Sequence, residues 1–271
     1  MFDIDGDGKV DQAKATFSET LETPYSAPNT VWTLAHAPGG AANTLASVSL
    51  ATPVATLTLN EGNVNTASGS FTIALTADAN GIRDLAGNQS SFAATSVADR
   101  AAPVPTNVVL ANNSTLGQAR SNDTVTVTYS ETLDATGFCS TWSNGSNQTI
   151  AGNGVVDVLI SNNGANDVLT VADVGANCGG STNFKFGSVN LAADYVNADT
   201  MFSGNGVNQG RLTWNPTSNT LTITLGGGSG SQTGVAASTP IYTPDAALKD
   251  LASPANFMTA TAFTAPGTSR F

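Results

Sequence analysis

Basic residues, histidine and cysteine are all scarce in this chain, and each shortage excludes a class of function. The 271 residues include nine Lys and Arg against 20 Asp and Glu, for a net charge of −11. Proteins whose main partner is nucleic acid or an anionic membrane cluster Lys and Arg, so neither partner is expected. Charged residues make up 11% of the chain, against roughly 25% in an average soluble protein. Ser, Thr, Asn, Gly and Ala take their place, which is typical of extracellular proteins.

Long apolar runs are also missing. No stretch of 18 apolar residues occurs, so no membrane-spanning helix is predicted. The first residues do not combine a basic segment with an apolar one, as a signal peptide would. We therefore expect a piece of a longer protein that is secreted or displayed on the cell surface, without insertion into the membrane.

One histidine and two cysteines limit the chemistry further. Zinc sites need clustered His and Cys, and a Ser or Cys nucleophile with a histidine base could use only His36. We therefore expect no enzyme activity. In an exported chain, Cys139 and Cys178 are expected to form a disulfide. That bond would close a loop of about 40 residues and stabilise the fold by roughly 3 to 4 kcal/mol in the chain-entropy model.

Two sequence phrases each occur twice. The hexapeptide Thr-Phe-Ser-Glu-Thr-Leu at 16–21 returns as Thr-Tyr-Ser-Glu-Thr-Leu at 128–133. The phrase Ile-Arg-Asp-Leu-Ala-Gly-Asn at 82–88 returns in a looser form at 248–256. One structural unit is therefore encoded twice.

A linker separates the two copies. Residues 99–105 are charged and then proline-rich, which is typical of a short, stiff connection. The sequence thus predicts domains at 1–100 and 101–271.

The second copy is longer than the first. Glu19 and Asp84 are 65 positions apart, whereas Glu131 and Asp250 are 119 positions apart, so the second copy contains 54 additional residues. We expect this insertion at about 144–226, a stretch rich in Asn and Gly, with the two cysteines fixing its beginning.

Short strands dominate both copies. Apolar and polar residues alternate in 13–17, which predicts a half-buried strand. Similar runs recur between clusters of Pro, Gly and Asn. Many short strands without long helices indicate an all-β sandwich or barrel. The second copy has a strand at 106–111 ahead of its hexapeptide strand, and the first copy is predicted to lack this initial strand.

Acidic residues at alternate positions open the chain and follow the spacing of an EF-hand calcium loop, with Gly8 at the sharp turn. The predicted ligands are Asp3, Asp5, Asp7, the carbonyl of Lys9, and Asp11. This stretch resembles the loops of dockerins and thrombospondin type 3 repeats. Lys14 stands where those loops carry a bidentate Glu, so the last ligand has to come from elsewhere or from water. The alternative is an Asp/Gly turn between two strands.

The repeated phrases resemble those of tandem bacterial immunoglobulin-like domains in large surface and adhesin proteins. The residues that carry the resemblance are 17–19 with 84–88, and 129–131 with 250–256. It implies two tandem immunoglobulin-like β-sandwich domains, the second enlarged by the insertion.

The immunoglobulin-like topology implies positions for the acidic residues. Glu19 and Asp84 would lie at one pole of the first domain, and the loop at 3–11 would lie at the opposite pole, near the linker. We expect calcium bound in this loop to stiffen the junction between the domains. Glu19 and Asp84 are interpreted as turn and strand-end residues rather than as a glycosidase pair.

Three functions follow as expectations. The first is a non-catalytic stalk or adhesion module, whose partners are neighbouring domains of a longer chain or other surface components. The second is a carbohydrate- or protein-binding module that uses the insertion, with Trp214, Tyr195 and Phe184 as candidate ligand contacts. The third is a subunit of an extracellular filament, in which a neighbour donates the strand that the first domain lacks.

Overall fold

The computed structural model describes residues 1–40, 44–179 and 184–271. The chain is all-β, and its strands pair in antiparallel sheets. The strands are β1 (Gln12–Thr16), β2 (Trp32–Ala35), β3 (Leu45–Ala51), β4 (Val54–Leu59), β5 (Thr72–Leu75), β6 (Phe92–Ser96), β7 (Pro105–Ala111), β8 (Thr124–Tyr129), β9 (Gln148–Ala151), β10 (Asp157–Ser161), β11 (Val168–Asp173), β12 (Gly187–Asn190), β13 (Thr200–Phe202), β14 (Arg211–Asn215), β15 (Thr220–Thr224), β16 (Ile241–Pro244) and β17 (Phe263–Thr264). A one-turn α-helix, α1, spans Ala135–Phe138, and short 3₁₀ turns span Asn29–Val31, Gly175–Cys178 and Gly206–Asn208.

Strands form where threonine alternates with larger apolar residues. In β8, Val125, Val127 and Tyr129 are buried while the threonines between them are half-buried. β15 repeats this pattern with Leu221 and Ile223. A period of two places all the apolar side chains on one face, and β-branched residues pack well on a pleated surface. The all-β class predicted from this alternation is confirmed.

The chain divides into two compact units. Unit 1 comprises Met1–Ala102 together with Ala252–Asn256, and unit 2 comprises Pro103–Leu251 with Phe257–Phe271. The main division lies two residues after the predicted boundary at 100. The assignment of Ala252–Asn256 to unit 1 differs from the predicted domains, which place these residues in the second domain. Each unit has its own hydrophobic core.

Unit 1 contains two three-stranded sheets, in the orders β1-β4-β3 and β2-β5-β6. Its core draws on both sheets, with Leu57 from the first and Trp32 and Ile73 from the second. This arrangement is consistent with a β-sandwich.

Unit 2 contains a five-stranded sheet in the order β7-β8-β15-β14-β9 and a six-stranded sheet in the order β13-β10-β11-β12-β16-β17. A buried hydrogen bond of 3.0 Å joins the hydroxyls of Tyr129 and Tyr242 and so connects the two sheets. Tyr242 also donates to the Phe186 carbonyl at 2.8 Å. Burial raises the pKa of both tyrosines well above its ordinary value.

Corresponding strands of the two units occupy the same places. Thr16 pairs with Val54 between β1 and β4, and Thr128 pairs with Thr220 between β8 and β15. Each residue of β8 is thus numbered 112 higher than its counterpart in β1, and each residue of β15 is numbered 166 higher than its counterpart in β4. The difference between these two offsets is the 54 additional residues. β14, which pairs with β15, then corresponds to β3.

This correspondence corrects the insertion predicted at 144–226. That range included β14 and β15, whereas both strands belong to the framework that the two units share. The additional residues therefore lie between β8 and β14. Next to β16, β12 takes the place that β2 has next to β5, so the strands added to the framework are β9, β10, β11 and β13.

The predicted disulfide is confirmed: Cys139 and Cys178 are bonded, with a sequence separation of 39. Cys139 directly follows α1, and Cys178 ends the 3₁₀ turn Gly175–Cys178. Asp134 caps α1 by accepting a hydrogen bond from the Thr136 N–H. The bond thus ties the start of the added segment to the turn after β11.

Candidate functional site

The acidic loop at 3–11 connects Phe2 to β1 and is held by its own carboxylates. Asp3 accepts hydrogen bonds from the Gly6 N–H at 2.7 Å and from the Gly8 N–H at 2.9 Å. Asp11 accepts one from the Ile4 N–H. Gly8 has a φ of 87°, in the left-handed region that glycine adopts without strain. The loop therefore folds around the carboxylates of Asp3 and Asp11.

Three of the predicted calcium ligands come together in this loop. Carboxylate oxygens of Asp3, Asp5 and Asp11 all lie within 4.8 Å of one another. Calcium binds oxygen at roughly 2.3–2.6 Å, so oxygens on opposite sides of one ion are about 5 Å apart. Each oxygen has two lone pairs, and a bond from a backbone N–H leaves one for a cation. This donor set fits a calcium ion.

Glu61 is a carboxylate beside the loop that the sequence reasoning missed. Its side chain forms a second acidic group with Asp5 and Asp7. The Leu59 N–H donates to the Asp11 carbonyl at 2.7 Å, which places the turn after β4 beside the loop. Glu61 is thus a carboxylate from elsewhere in the chain, which is one of the two sources expected for the missing ligand. Its signal was the pairing of the two flanking strands rather than its spacing in sequence.

A close backbone contact fixes the turn that carries Glu61. The Asn63 N–H donates to the Gly39 carbonyl at 3.0 Å, and a Cβ at Gly62 would lie 2.6 Å from that carbonyl oxygen. Glycine at position 62 is therefore a packing requirement, and it holds the turn against the segment at 37–40.

Lys9 places a positive charge among these carboxylates. Its ammonium bonds to Asp7 and, at 3.0 Å, to Glu61. Both bonds raise the pKa of Lys9. The predicted role of Lys9 was its carbonyl, whereas its side chain neutralises part of the second acidic group. Because all three side chains are at least partly exposed, water and salt screen both ion pairs and little stability is expected from them.

Burial affects the carboxylates of the first group. It raises the pKa of both Asp3 and Asp11, and the bonds from backbone N–H groups partly offset that rise. The neighbouring carboxylates of Asp5 and Glu61 act in the same direction as burial on Asp11. A bound cation would relieve this mutual repulsion.

The repeated phrases meet after the C-terminal end of the hexapeptide strand, which is β1 in unit 1 and β8 in unit 2. They meet in the same way in both units. Leu21 forms a β-bridge with Asp84, and Leu133 forms one with Asp250. The residue after each leucine donates its N–H at 2.8 Å to the carbonyl of the residue before each aspartate. The same residues form ion pairs: Glu22 with Arg83 at 2.7 Å in unit 1, and Asp134 with Lys249 at 3.4 Å in unit 2.

Asp84 is held tightly in its turn. Its carboxylate accepts hydrogen bonds from the Ala86 and Asn88 N–H groups and from the Asn88 side chain. These bonds lower the pKa of Asp84, and the bond from the Asn88 side chain has the largest effect. A hydrogen bond with Glu19 lowers the pKa further. Glu19 and Asp84 therefore lie close together, and the Asp84 carboxylate is already hydrogen-bonded by backbone N–H groups of its own turn.

The three aromatic residues proposed as ligand contacts lie in the core of unit 2. Phe184 is 6% exposed, Trp214 is 1% exposed and Tyr195 is fully buried. The rings of Trp214 and Phe184 both pack on Phe138, at centroid distances of 5.1 and 6.1 Å, and Tyr195 packs on Phe271 at 5.2 Å. This corrects the expectation of a stacking surface, because none of the three presents a face to solvent.

None of the helices in the described ranges is long and apolar enough to cross a membrane. Comparisons with protein-family models, curated proteins and solved structures found no match for the chain.

Proposed function

We propose that the chain is a non-catalytic structural module of a secreted or cell-surface bacterial protein, built as two tandem immunoglobulin-like sandwiches. Strand order supports the topology. Immunoglobulin constant-type domains arrange their strands as A-B-E-D and C-F-G. Unit 2 has β7-β8-β15-β14 and β12-β16-β17 in those places, and unit 1 has β1-β4-β3 and β2-β5-β6.

The repeated joint at 21–22 with 83–84, and at 133–134 with 249–250, carries this proposal. A β-bridge, a backbone hydrogen bond and an ion pair recur there at equivalent positions. They recur although the two halves of the joint are 54 residues further apart in sequence in unit 2 than in unit 1. Such a joint ties the end of one strand to a distant turn by main-chain bonds, which suits a load-bearing role. The buried aromatics of unit 2 favour this function over ligand binding. The disulfide and the low charge support an extracellular location.

Force spectroscopy on the full chain tests the structural role. We expect two unfolding events, one per unit, because each unit has its own core. The disulfide shields the chain between Cys139 and Cys178, so its reduction is expected to lengthen the unit 2 event by about 130 to 140 Å at roughly 3.3–3.6 Å per residue.

The length of the unit 1 event serves as the internal control, since unit 1 contains no cysteine. Collapse of both units together at forces near the noise level would contradict a structural module. Saturable binding of the intact chain to a glycan array would favour the ligand-binding alternative.

We further propose that the loop at 3–11 binds calcium, with Glu61 as an additional ligand. The support is the cluster of Asp3, Asp5 and Asp11 oxygens with a second carboxylate group beside it. Extracellular calcium modules bind with dissociation constants of about 10⁻⁴ to 10⁻³ M. At about 10 mM Ca²⁺, such a site would stabilise unit 1 by about 1 to 3 kcal/mol.

Thermal unfolding with and without Ca²⁺ measures this effect. Asp5→Asn is expected to abolish the shift of the unit 1 transition. Asp78→Asn, in a turn of the same unit where Asp78 bonds the Asn80 N–H, is the matched control and is expected to keep it. An unchanged wild-type transition in Ca²⁺ and in excess EDTA would refute the site.

A further inference from the structure

The outer surface of the six-stranded sheet of unit 2 carries apolar side chains that lie outside the core. Side chains of a strand alternate between its two faces. In β10, Val158 and Ile160 are fully buried, so Leu159 between them points away from the core. The strands β11, β13 and β16 follow the same alternation, and their outward apolar residues are Val168, Met201 and Ile241.

Strand pairing places these residues in two adjacent rows. Leu159 pairs with Met201 on one side and with Thr170 on the other, and Ser188 pairs with Thr243 further along the sheet. The second row is formed by consecutive pairs of Ser161, Val168, Asn190, Ile241 and Thr264. We call these ten residues the outer face.

Solvent reaches the apolar part of the outer face. Met201 is 45% exposed, and Leu159, Val168 and Ile241 are half-buried. Within the residues that the structure describes, none of these four side chains belongs to the core of unit 2 or to the partly buried apolar residues that pack against it. A second surface that covered them would remove apolar area from water, which favours association.

The other sheet of unit 2 shows how this chain builds a sheet surface that stays in water. Outward residues of the five-stranded sheet form a row of Val109, Thr126, Thr222, Thr213 and Thr149. Threonine suits a strand through its branched Cβ and offers a hydroxyl to solvent. The outer face departs from this pattern, because it places Leu159 and Met201 side by side.

Most of this apolar surface comes from the segment that unit 2 has in addition to the shared framework. Leu159, Val168 and Met201 lie on β10, β11 and β13, which are three of the added strands. Ile241 lies on β16, a strand of the framework. The additional residues thus supply a surface that the framework alone does not have.

The chemistry of the outer face favours a protein partner. None of its ten residues is charged, whereas nucleic acid and anionic membranes call for Lys and Arg. None is aromatic, so the face offers no ring on which a sugar could stack. Protein interfaces are depleted of charge at their centre and polar at their rim. Asp157, the next outward residue along β10, is part of such a rim.

We propose that two copies of this chain associate through their outer faces about a two-fold axis. The polar residues of the face are Ser, Thr and Asn, whose side chains both donate and accept hydrogen bonds. The face therefore complements a copy of itself, as a two-fold interface requires. Apolar residues of one copy cover those of the other, with the two sheets about 10 Å apart. The contact uses unit 2 alone and is separate from the calcium loop.

The size of the face sets the strength of this contact. Strands spaced about 4.8 Å apart and rows about 7 Å apart give about 300 to 400 Å² per copy. Two copies then bury less than the roughly 1,000 Å² expected of a stable interface, so the dimer belongs to the weak, transient class. We expect a dissociation constant in the submillimolar range.

A concentration series of the full chain tests this association. Sedimentation velocity should show a monomer–dimer equilibrium, and NMR should show amide shifts that change with concentration on β10, β11 and β13 but not on β14 and β15. Each copy has a net charge of −11, so added salt should strengthen the dimer by screening the repulsion between copies. Weakening by salt would contradict an uncharged interface.

The double variant Leu159→Thr/Met201→Thr gives the outer face the composition of the other sheet. Its dimer should dissociate about fivefold or more readily. The unfolding midpoint of unit 2 should stay unchanged, because neither side chain belongs to the core. Val109→Thr makes the same kind of change on the outside of the five-stranded sheet, where Val109 is 37% exposed, and this matched control should keep the wild-type affinity.

Val168 provides a test that the partner is a second copy. It lies on β11, between the strands of Leu159 and Ile241, near the centre of the apolar part and so near the two-fold axis. Val168→Lys and Val168→Glu should each abolish association, because like charges would face each other, and mixing the two variants should restore it. The proposal is overturned if the wild type stays monomeric at millimolar concentration, if the double variant associates as the wild type does, or if mixing restores nothing.

Discussion

Asp11 and Asp123 hold equivalent positions, 112 residues apart, at the end of the loop that enters the hexapeptide strand of each unit. Asp11 accepts a bond from the Ile4 N–H, and Asp123 accepts bonds of 2.7 Å from the Asn113 and Arg120 N–H groups. In unit 2 the carboxylate thus closes the loop by backbone bonds alone. Asp11 therefore has a structural role without a metal, whereas Asp5 is the better probe of calcium.

Lys9→Met is predicted to strengthen calcium binding. The ammonium of Lys9 bonds to Asp7 and Glu61, so its removal frees both carboxylates for a cation. Met keeps the length and apolar stem of the side chain. Calorimetric titration should show Ca²⁺ affinity rising about three- to tenfold, as expected for the loss of one competing charge near the surface. The double variant Lys9→Met/Glu61→Gln should lose most of this gain, and an unchanged affinity in the single variant would show that Lys9 does not compete.

Asp84→Asn is predicted to change the acid limb of the stability profile. The pKa of Asp84 is lowered in the folded state, first by the Asn88 side chain, so the unfolded state binds its proton more tightly. Stability from this group is present above the unfolded pKa and is lost as pH falls through the folded one. Wild type should therefore lose stability below about pH 4, and the variant should lack this contribution. Denaturant unfolding at pH 7 and pH 3 measures it, and identical pH profiles would contradict it.

Strands could be predicted from local alternation, but their partners could not. The run predicted at 13–17 appears as β1, shifted by one residue to Gln12–Thr16, where buried Ala13 is followed by exposed Lys14. β14 and β15 lie within the range predicted for the insertion. Only strand pairing shows that Thr220 is equivalent to Val54, with the same offset of 166 that Asp250 has from Asp84. Trp214, a candidate ligand contact for the alternative of a binding module, shares the buried face of β14 with Leu212.

Non-local pairing explains the residues that sequence reasoning missed at the metal site. Asp3, Asp5 and Asp11 lie close in sequence, so their spacing alone predicted the cluster. Glu61 lies 50 positions after Asp11 and joins it through the antiparallel pairing of β1 with β4. Whether a calcium ion occupies these carboxylates stays a prediction.

Removing the disulfide should act on the added segment of unit 2. With a separation of 39 residues, replacing both cysteines by Ser is expected to lower the stability of unit 2 by about 3 to 4 kcal/mol in the loop-entropy model. The unit 1 transition should not move. Calorimetry of the double variant measures both units in one scan, and a fall confined to unit 1 would contradict the assignment.

At the scale of the whole chain, two separate cores imply two units of folding. The core of unit 1 includes Trp32, whose ring packs edge-on against Phe92 at 5.9 Å. The core of unit 2 includes Trp214, which packs against Tyr129 and Phe138. Neither cluster contains a residue of the other. Each unit is therefore expected to unfold at a temperature that depends on the contacts of its own core.

Trp32→Ala and Trp214→Ala form a matched pair that tests this independence. Truncating a buried Trp costs about 3 to 5 kcal/mol, which should lower the melting point of a domain of this size by about 10 °C or more. Trp32→Ala should shift only the unit 1 component of a calorimetric scan, and Trp214→Ala only the unit 2 component. Adding Ca²⁺ identifies the unit 1 component in wild type if the loop binds the ion, and disulfide reduction identifies the unit 2 component. A single transition that both substitutions move equally would show that the chain folds as one cooperative body.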